Sequence, residues 1–307
     1  MARKKGRPID GILLLDKPRG ISSNQALRRV SAALDARKAG HTGSLDPLAT
    51  GLLVLCFGEA TKMSGWLLDA DKTYRTTAEL GVTTDSADAD GAVLERRAVG
   101  AIDPAQLDAV LAQFRGPQQQ VPPMFSALKH QGKRLYELAR AGVEVERTPR
   151  DVVIHELEVE AQTNTSIDLR VRCSKGTYIR SLVADIGEAL GCGAHVSALR
   201  RTALQPFEQP VMWTLEQAEA LAASDPTALQ AALLDADRAL VGLDCVVLSA
   251  AQAQAFRHGQ AIITESTRSN EAVRVYNEAQ EFMGIGWHEP GGWIQPRRLL
   301  VQRGAQG

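Results

Sequence analysis

The segment GHTGSLDPLATG at 40–51 gathers the residues of this chain best suited to chemistry. Its glycines, Gly40, Gly43 and Gly51, permit backbone geometries that a side chain would forbid. Asp46 stands before Pro47, which biases it towards extended backbone on a loop. A carboxylate held on a stiff turn can act as a nucleophile or as a base. The same Asp-Pro pair is also an ordinary helix N-cap with proline at the first helical position, and local chemistry leaves both readings open. Two tyrosines stand beside cations, Tyr74 in DKTYR and Tyr178 in KGTYIR. Stacking a base on an aromatic ring is worth about 1–3 kcal/mol, enough to hold a nucleotide that has left its stack. Core packing is the competing reading for either tyrosine taken alone.

Other motifs fail on their spacing. TTDSADADG at 83–91 looks like a calcium loop, but aligning Asp88, Asp90 and Gly91 puts Ser86 at the first ligand and Arg97 where the bidentate glutamate belongs. GCGAHV at 191–196 lacks the third glycine of a dinucleotide fingerprint and follows a helical pattern instead of a strand. Neither GxxxxGK[ST] nor HExxH occurs. Cys56, Cys173, Cys192 and Cys245 form no CxxC pair and no zinc spacing, and read as reduced thiols. The calcium, nucleotide triphosphate and zinc-protease readings therefore lose their usual support.

These residues need a scaffold, and 307 residues suit one large domain plus a small one. With 44% hydrophobic and 23% charged residues the chain is neither disordered nor fibrous. Its longest charge-free apolar run, 48–58, is too short to span a bilayer. The basic N-terminus leads into an apolar stretch that ends at Asp16-Lys17, too short for a secretory signal, so a cytoplasmic protein without a membrane partner is expected. Charge is uneven: residues 1–40 carry ten Lys/Arg against three Asp/Glu, and 208–245 carry one against seven. That polarity suits a polyanionic partner on one face, or simply a solvated face.

GILLLDKPRGISS (11–23) reads as a strand, a turn and a Ser cap opening a helix to about Leu34. Further strands are expected at 52–58, 73–81, 151–162 and 166–174, the last two joined by a turn at Asn164. Helices are expected at 60–70, at 104–115 behind an Asp103-Pro104 cap, and at 181–193 closed by Gly191 or Gly193. The mixture lacks a regular βαβ period, which argues for an α+β fold. From about 246, short strand-like runs separated by Gly, Asn and Pro signal a small β-barrel.

Six segments together resemble the bacterial tRNA pseudouridine synthases of the TruB type: LLLDKPRGISS (13–23), GHTGSLDPLATG (40–51), DKTYR (71–75), LGVTTDSADADG (80–91), PPMFSALKHQGKRLYELARAG (122–142) and CSKGTYIRSLVADIGEALG (173–191), in the family's order. The resemblance implies a pseudouridine synthase fold with a mixed central β-sheet over 1–245 and a PUA-like RNA-binding β-barrel over 246–307. It implies isomerisation of uridine 55 in the tRNA T loop to pseudouridine, with a T stem-loop as partner, no cofactor and no obligatory protein partner. Carried over residue by residue, Asp46 is the catalytic aspartate and Arg180 its pair. His41 lies against the T loop, Tyr74 stacks on the target base, Tyr178 lines the pocket and Leu199 closes its apolar wall. Arg180 is expected to hold the Asp46 carboxyl down in pKa. Lys17, Arg19, Lys129, Lys133 and Arg134 are expected contacts to the RNA backbone, with a solvated surface charge as the competing reading for each. Two other functions compete: an RNA chaperone using the same groove without Asp46, and an aspartate-nucleophile hydrolase of small esters or glycosides, which would need no RNA-binding barrel.

Overall fold

A computed structural model describes residues 6–266 and 268–301. The strands of its first half are β1 (Gly11–Lys17), β2 (Ala39–Thr42), β3 (Thr50–Phe57), β4 (Lys72–Leu80), β5 (Val82–Thr84), β6 (Val93–Arg96), β7 (Gly116–Gln120), β8 (Lys129–His130) and β9 (Lys133–Arg134). Then come β10 (Arg150–Gln162), β11 (Ser166–Cys173), β12 (Ala194–Leu204) and β13 (Trp213–Thr214). A C-terminal group follows: β14 (Cys245–Leu248), β15 (Ile262–Ile263), β16 (Ala272–Asn277), β17 (Phe282–Glu289) and β18 (Trp293–Leu299). The helices are α1 (Ser23–Ala33), α2 (Ser64–Asp69), α3 (Pro104–Ala112), α4 (Leu135–Arg140), α5 (Ile179–Ala189), α6 (Leu215–Ser224), α7 (Pro226–Ala231) and α8 (Ala250–Arg257). Among the described residues no helix is long and apolar enough to cross a membrane.

Nine strands make one mixed sheet in the order β13-β1-β3-β12-β4-β11-β10-β7, with β2 also on β3. β1 and β3 bury both faces and so read as unbroken apolar runs, whereas β11 alternates, burying Ile167, Leu169, Val171 and Cys173. The sheet forks at β3. One edge pairs throughout with β1; the other pairs with β12 in parallel only at Thr50 and Gly51 and with β2 from Val54 to Phe57. The β2–β3 connection, which carries Asp46, emerges at that fork. Gly51 is obligatory there: its φ is +94° and a Cβ would lie 2.2 Å from the Arg201 carbonyl oxygen.

The α1 start is a capping box, Ser22 Oγ accepting from the Gln25 N–H and Gln25 Oε1 accepting from the Ser22 N–H. Asp103 caps α3 as expected, and Gly191 at φ +82° follows the Leu190 cap of α5. The helix expected at 60–70 is instead a 3₁₀ turn over Gly58–Met63 followed by the short α2. Thr61 and Ser64 hydroxyls donate to the Gly58 and Thr61 carbonyls, the local competition that weakens a regular helix. The polar segment 83–91 also holds more order than expected, with β5 paired to β6 around it.

The C-terminal sheet has the order β14-β16-β17-β18-β15, and its inner face packs Val273, Val275, Met283 and Ile294 against Phe256 of α8. Its other face meets the first body. Ile285 is fully buried in a cluster with Ile12, Leu14, Leu52 and Val54, Lys62 Nζ donates to the Leu299 carbonyl at 2.7 Å and the Tyr276 hydroxyl donates to Asp237 at 2.7 Å. Ile285→Ala is therefore expected to lower unfolding free energy by about 2–5 kcal/mol, in the range of buried Ile truncations. Urea denaturation followed by tryptophan fluorescence checks this; a change below about 1 kcal/mol would mean the contact is not a shared core.

Candidate active site

Asp46 lies on a turn tied from several sides. The Ser23 hydroxyl, at the first turn of α1, engages both backbone polar groups of Leu45, accepting from its N–H at 2.8 Å and donating to its carbonyl at 3.1 Å. Gly20 N–H donates to the Pro47 carbonyl at 2.7 Å, and Ala49 N–H closes the turn on the Asp46 carbonyl at 3.1 Å. Residues 47–49 form no helix, so the capping reading of Asp46-Pro47 does not hold. From β12, the buried Arg201 donates to the Leu52 and Gly43 carbonyls at 2.7 and 3.0 Å, filling the fork beneath the loop.

Arg180, in the first turn of α5, faces this turn. Its Nε lies 2.9 Å from Asp46 Oδ2 and 3.5 Å from Asp88 Oδ2. Its other nitrogens donate to the Ser86 and Phe125 carbonyls at 2.7 and 2.6 Å. Every arm of the guanidinium is thus used, which fixes its plane. Asp46, Asp88, Ser126, Arg134, Tyr136 and Arg180 line a cavity of about 710 Å³. A second carboxylate in contact with the same guanidinium was not anticipated; Asp88 lay within the segment that resembled a calcium loop, and that pattern concealed it.

The expectation that Arg180 holds the Asp46 carboxyl down needs correction. Enclosure pushes it above the ordinary aspartate value of 3.8; Arg180 opposes this, Asp88 adds to it, and Lys17 opposes it. The side chain is still 40% accessible through the cavity, which moderates the enclosure without reversing the direction. A reaction that requires ionised Asp46 then loses rate as pH falls, with a midpoint above 3.8. Single-turnover rates measured across the acid range test this, and an acid limb at or below that value would contradict it.

Tyr74, Tyr178, His41 and Leu199, the other expected pocket residues, are not among the residues that line this cavity. Tyr74 is 8% exposed in the main core; burial raises its phenol pKa and the Arg201 guanidinium lowers it. Its flanking cations do not form an RNA-facing pair: Lys72 Nζ is buried against the carbonyls of Leu68 and Ala70 at the end of α2, and Arg75 pairs with Glu160 on the opposite face. Tyr178 is the residue immediately before α5. His41 lies on β2, its imidazole pKa lowered by burial and by Arg201, with Nδ1 buried and unpartnered. Leu199 lines a separate cavity of about 400 Å³ with Arg19, Leu48 and Arg200. A further cavity of about 590 Å³ on the outer sheet face has arginines already neutralised, Arg172 by Glu156 and Asp71 and Arg170 by Glu156, and it lies away from Asp46.

Of the expected backbone contacts, Arg19, Lys129, Lys133 and Arg134 are exposed, the last three on the β8–β9 hairpin. Lys17 is not a contact. It is fully buried, with Nζ donating to the Pro18 and Ile21 carbonyls at 2.8 Å each and to the Pro47 carbonyl at 3.5 Å. Burial lowers its pKa to about 8. A cation at a strand end turns inwards when unpaired carbonyls of the following turn offer it partners, and this lysine anchors the turn carrying Asp46.

Along its whole length the chain is similar to pseudouridine synthases. Against the H/ACA ribonucleoprotein bound to a substrate RNA containing 2′-deoxyuridine, the match covers 99% of this chain and 92% of that one with a TM-score of 0.74 at 22% identity, a likeness of fold alone. The TruB family pseudouridylate synthase N-terminal domain matches residues 31–179, the tRNA pseudouridylate synthase B C-terminal domain matches 180–241, and the pseudouridine synthase II TruB C-terminal domain matches 245–300. A tRNA pseudouridine synthase B of Chromohalobacter salexigens is 50% identical over 300 residues, 97% of this chain and 96% of that one. One of Stutzerimonas stutzeri is 53% identical over 295 residues, 96% of each. The chain belongs to the TruB family of pseudouridine synthases.

Proposed function

We propose that this protein converts uridine 55 in the T loop of tRNA to pseudouridine, with residues 1–245 as the catalytic unit and 246–307 as an RNA-docking unit. The observation that carries the reading is the Asp46–Arg180 ion pair at 2.9 Å on a cavity wall, in a chain of this family. The reaction breaks the bond from uracil N1 to the sugar C1′, turns the base and joins its C5 to the same carbon, after which C5 loses its proton and N1 takes one up. Substrate and product are isomers, so no redox partner, phosphate donor or metal enters the balance. Ionised Asp46 attacks the sugar or removes a proton from it, and Arg180 sets its orientation and charge. The target base has to leave its stack to reach Asp46, and recognition then rests on RNA shape and backbone. Exposed Lys129, Lys133 and Arg134 on the β8–β9 hairpin, and exposed Arg19 after β1, would take the RNA phosphates. Tyr74, Tyr178 and His41 would close on the base as it turns, while Leu199 lines the neighbouring cavity. The working place is the cytoplasm, where tRNA is processed.

Incubating the purified protein with an unmodified tRNA transcript and mapping pseudouridine chemically tests the reading. Product confined to position 55 supports it. A transcript left unmodified, or modified elsewhere, overturns it.

A further inference from the structure

Helix α5 begins without any side-chain cap of its own. Tyr178, at the N-cap position, is extended at φ −102° and ψ 110° and contributes no capping bond, although an N-cap is ordinarily Ser, Thr, Asp or Asn. Its backbone is held from elsewhere. Gln120, the last residue of β7 and 4% exposed, accepts from the Tyr178 N–H through Oε1 at 2.7 Å and donates from Nε2 to the Tyr178 carbonyl at 3.0 Å. In an ordinary capping box, a Gln or Glu three residues into the helix reaches back to the N-cap N–H. Here that residue is Ser181, whose hydroxyl is turned to the Val121 carbonyl at 3.0 Å. The capping task has passed to a carboxamide on a different strand.

The stitching continues along the same segment. The Phe125 carbonyl takes the Arg180 guanidinium, and Ser126 lines the cavity with Asp46. We propose that Gln120 is a positioning residue for the reaction: its two-bond clasp on Tyr178 sets where the first turn of α5 begins, and so where Arg180 meets Asp46. It touches neither reacting atom and acts through Arg180. This inference rests on the proposed function of the site.

Gln120→Leu removes both bonds at similar volume, and Gln120→Glu keeps the acceptor but sets a carboxylate oxygen against the Tyr178 carbonyl. A misplacement of about 1 Å can cost on the order of 10²-fold in rate. The expected result for Gln120→Leu is a fall of about 10–100-fold in the single-turnover rate at saturating tRNA transcript, with the dissociation constant for that transcript within about twofold of the parent's. Gln120→Glu is expected to lie at or below the Leu variant.

The acid limb supplies a reading that a residue serving only stability would not move. Asp46 is faced by Arg180, Asp88 and Lys17, with the phenols of Tyr74 and Tyr178 nearby; of the two cations, Arg180 alone lies on the helix Gln120 clasps. Loosening Arg180 should therefore move the acid limb of the rate to higher pH. A folded Gln120→Leu protein with an unchanged rate, or with a lower rate and an unmoved acid limb, overturns the assignment. Should Leu fail to fold, the same two readings on Gln120→Glu decide the matter. Absence of pseudouridine with the unaltered protein would remove the underlying reading; an active parent beside an unaffected variant would remove the Gln120 assignment alone.

Discussion

Asp46→Asn is expected to lower pseudouridine formation by on the order of 10⁴-fold while the protein folds and holds a tRNA transcript as tightly as before. Asparagine keeps the shape and an acceptor oxygen towards Arg180 but has no charge and no nucleophilic or basic oxygen. The turn around position 46 should persist, because its ties run through Ser23, Gly20 and Lys17 and not through the Asp46 side chain. Single-turnover product formation and a filter-binding isotherm on one preparation decide the point. Robust product from the variant would reject any nucleophile or base role for Asp46. Product lost with binding retained would leave a modification-independent folding activity to be tested on the same protein, which separates the chaperone reading from the isomerase.

Arg180→Lys should be nearly as damaging, by about 10²–10³-fold in rate, although the charge is kept. A lysine offers one ammonium where the guanidinium reaches Asp46, Ser86 and Phe125 at once, and a planar fork is not replaced by a point charge. Two carboxylates, Asp46 and Asp88, share that guanidinium. Removing the cation outright, as in Arg180→Met, would leave them facing each other and cost about 3–5 kcal/mol of stability, typical of breaking a buried pair. Lysine avoids most of that loss, so its rate effect reports geometry. An Arg180→Lys variant within about fivefold of the parent would mean that charge alone suffices.

The Asp46–Arg180 pair was legible through the family resemblance, whose short motifs carry both residues: Asp46 within a glycine-rich Asp-Pro loop and Arg180 beside Tyr178. Residues whose meaning depends on distant partners were not. Nothing around Gln120 in the chain indicates that its amide will clasp a backbone 58 positions away. Lys17 looked like a surface cation because the carbonyls that draw it inwards are supplied by a turn and by Pro47, thirty residues on. The central strand β12 went unread although it joins the two halves of the sheet. Register breaks at Val196/Ala198 and Arg201/Ala203 disrupt the alternation by which a strand is recognised. The regular elements were easier: β11 alternates cleanly, the C-terminal strands fall where their glycine and asparagine punctuation put them, and the Asp103-Pro104 cap opens α3.

The pins between the C-terminal sheet and the 3₁₀ turn at Gly58–Met63 make the molecule a calliper. That turn continues directly from β3, and β3 begins four residues after Asp46. One jaw is therefore the loop of Asp46 and the other is the sheet, pinned by Lys62 beyond the far end of β3 and packed through Ile285 along the strand itself, so that the bar between them is at most the eight-residue strand, about 26 Å at the usual rise. A tether would let the two ends find any pair of sites on an RNA, but a bar admits only a pair at its own span. If both jaws grip RNA, a folded elbow that presents its uridine at the wrong reach is refused by length before any base is read, and an isolated stem-loop that meets one jaw gives up the grip of the other.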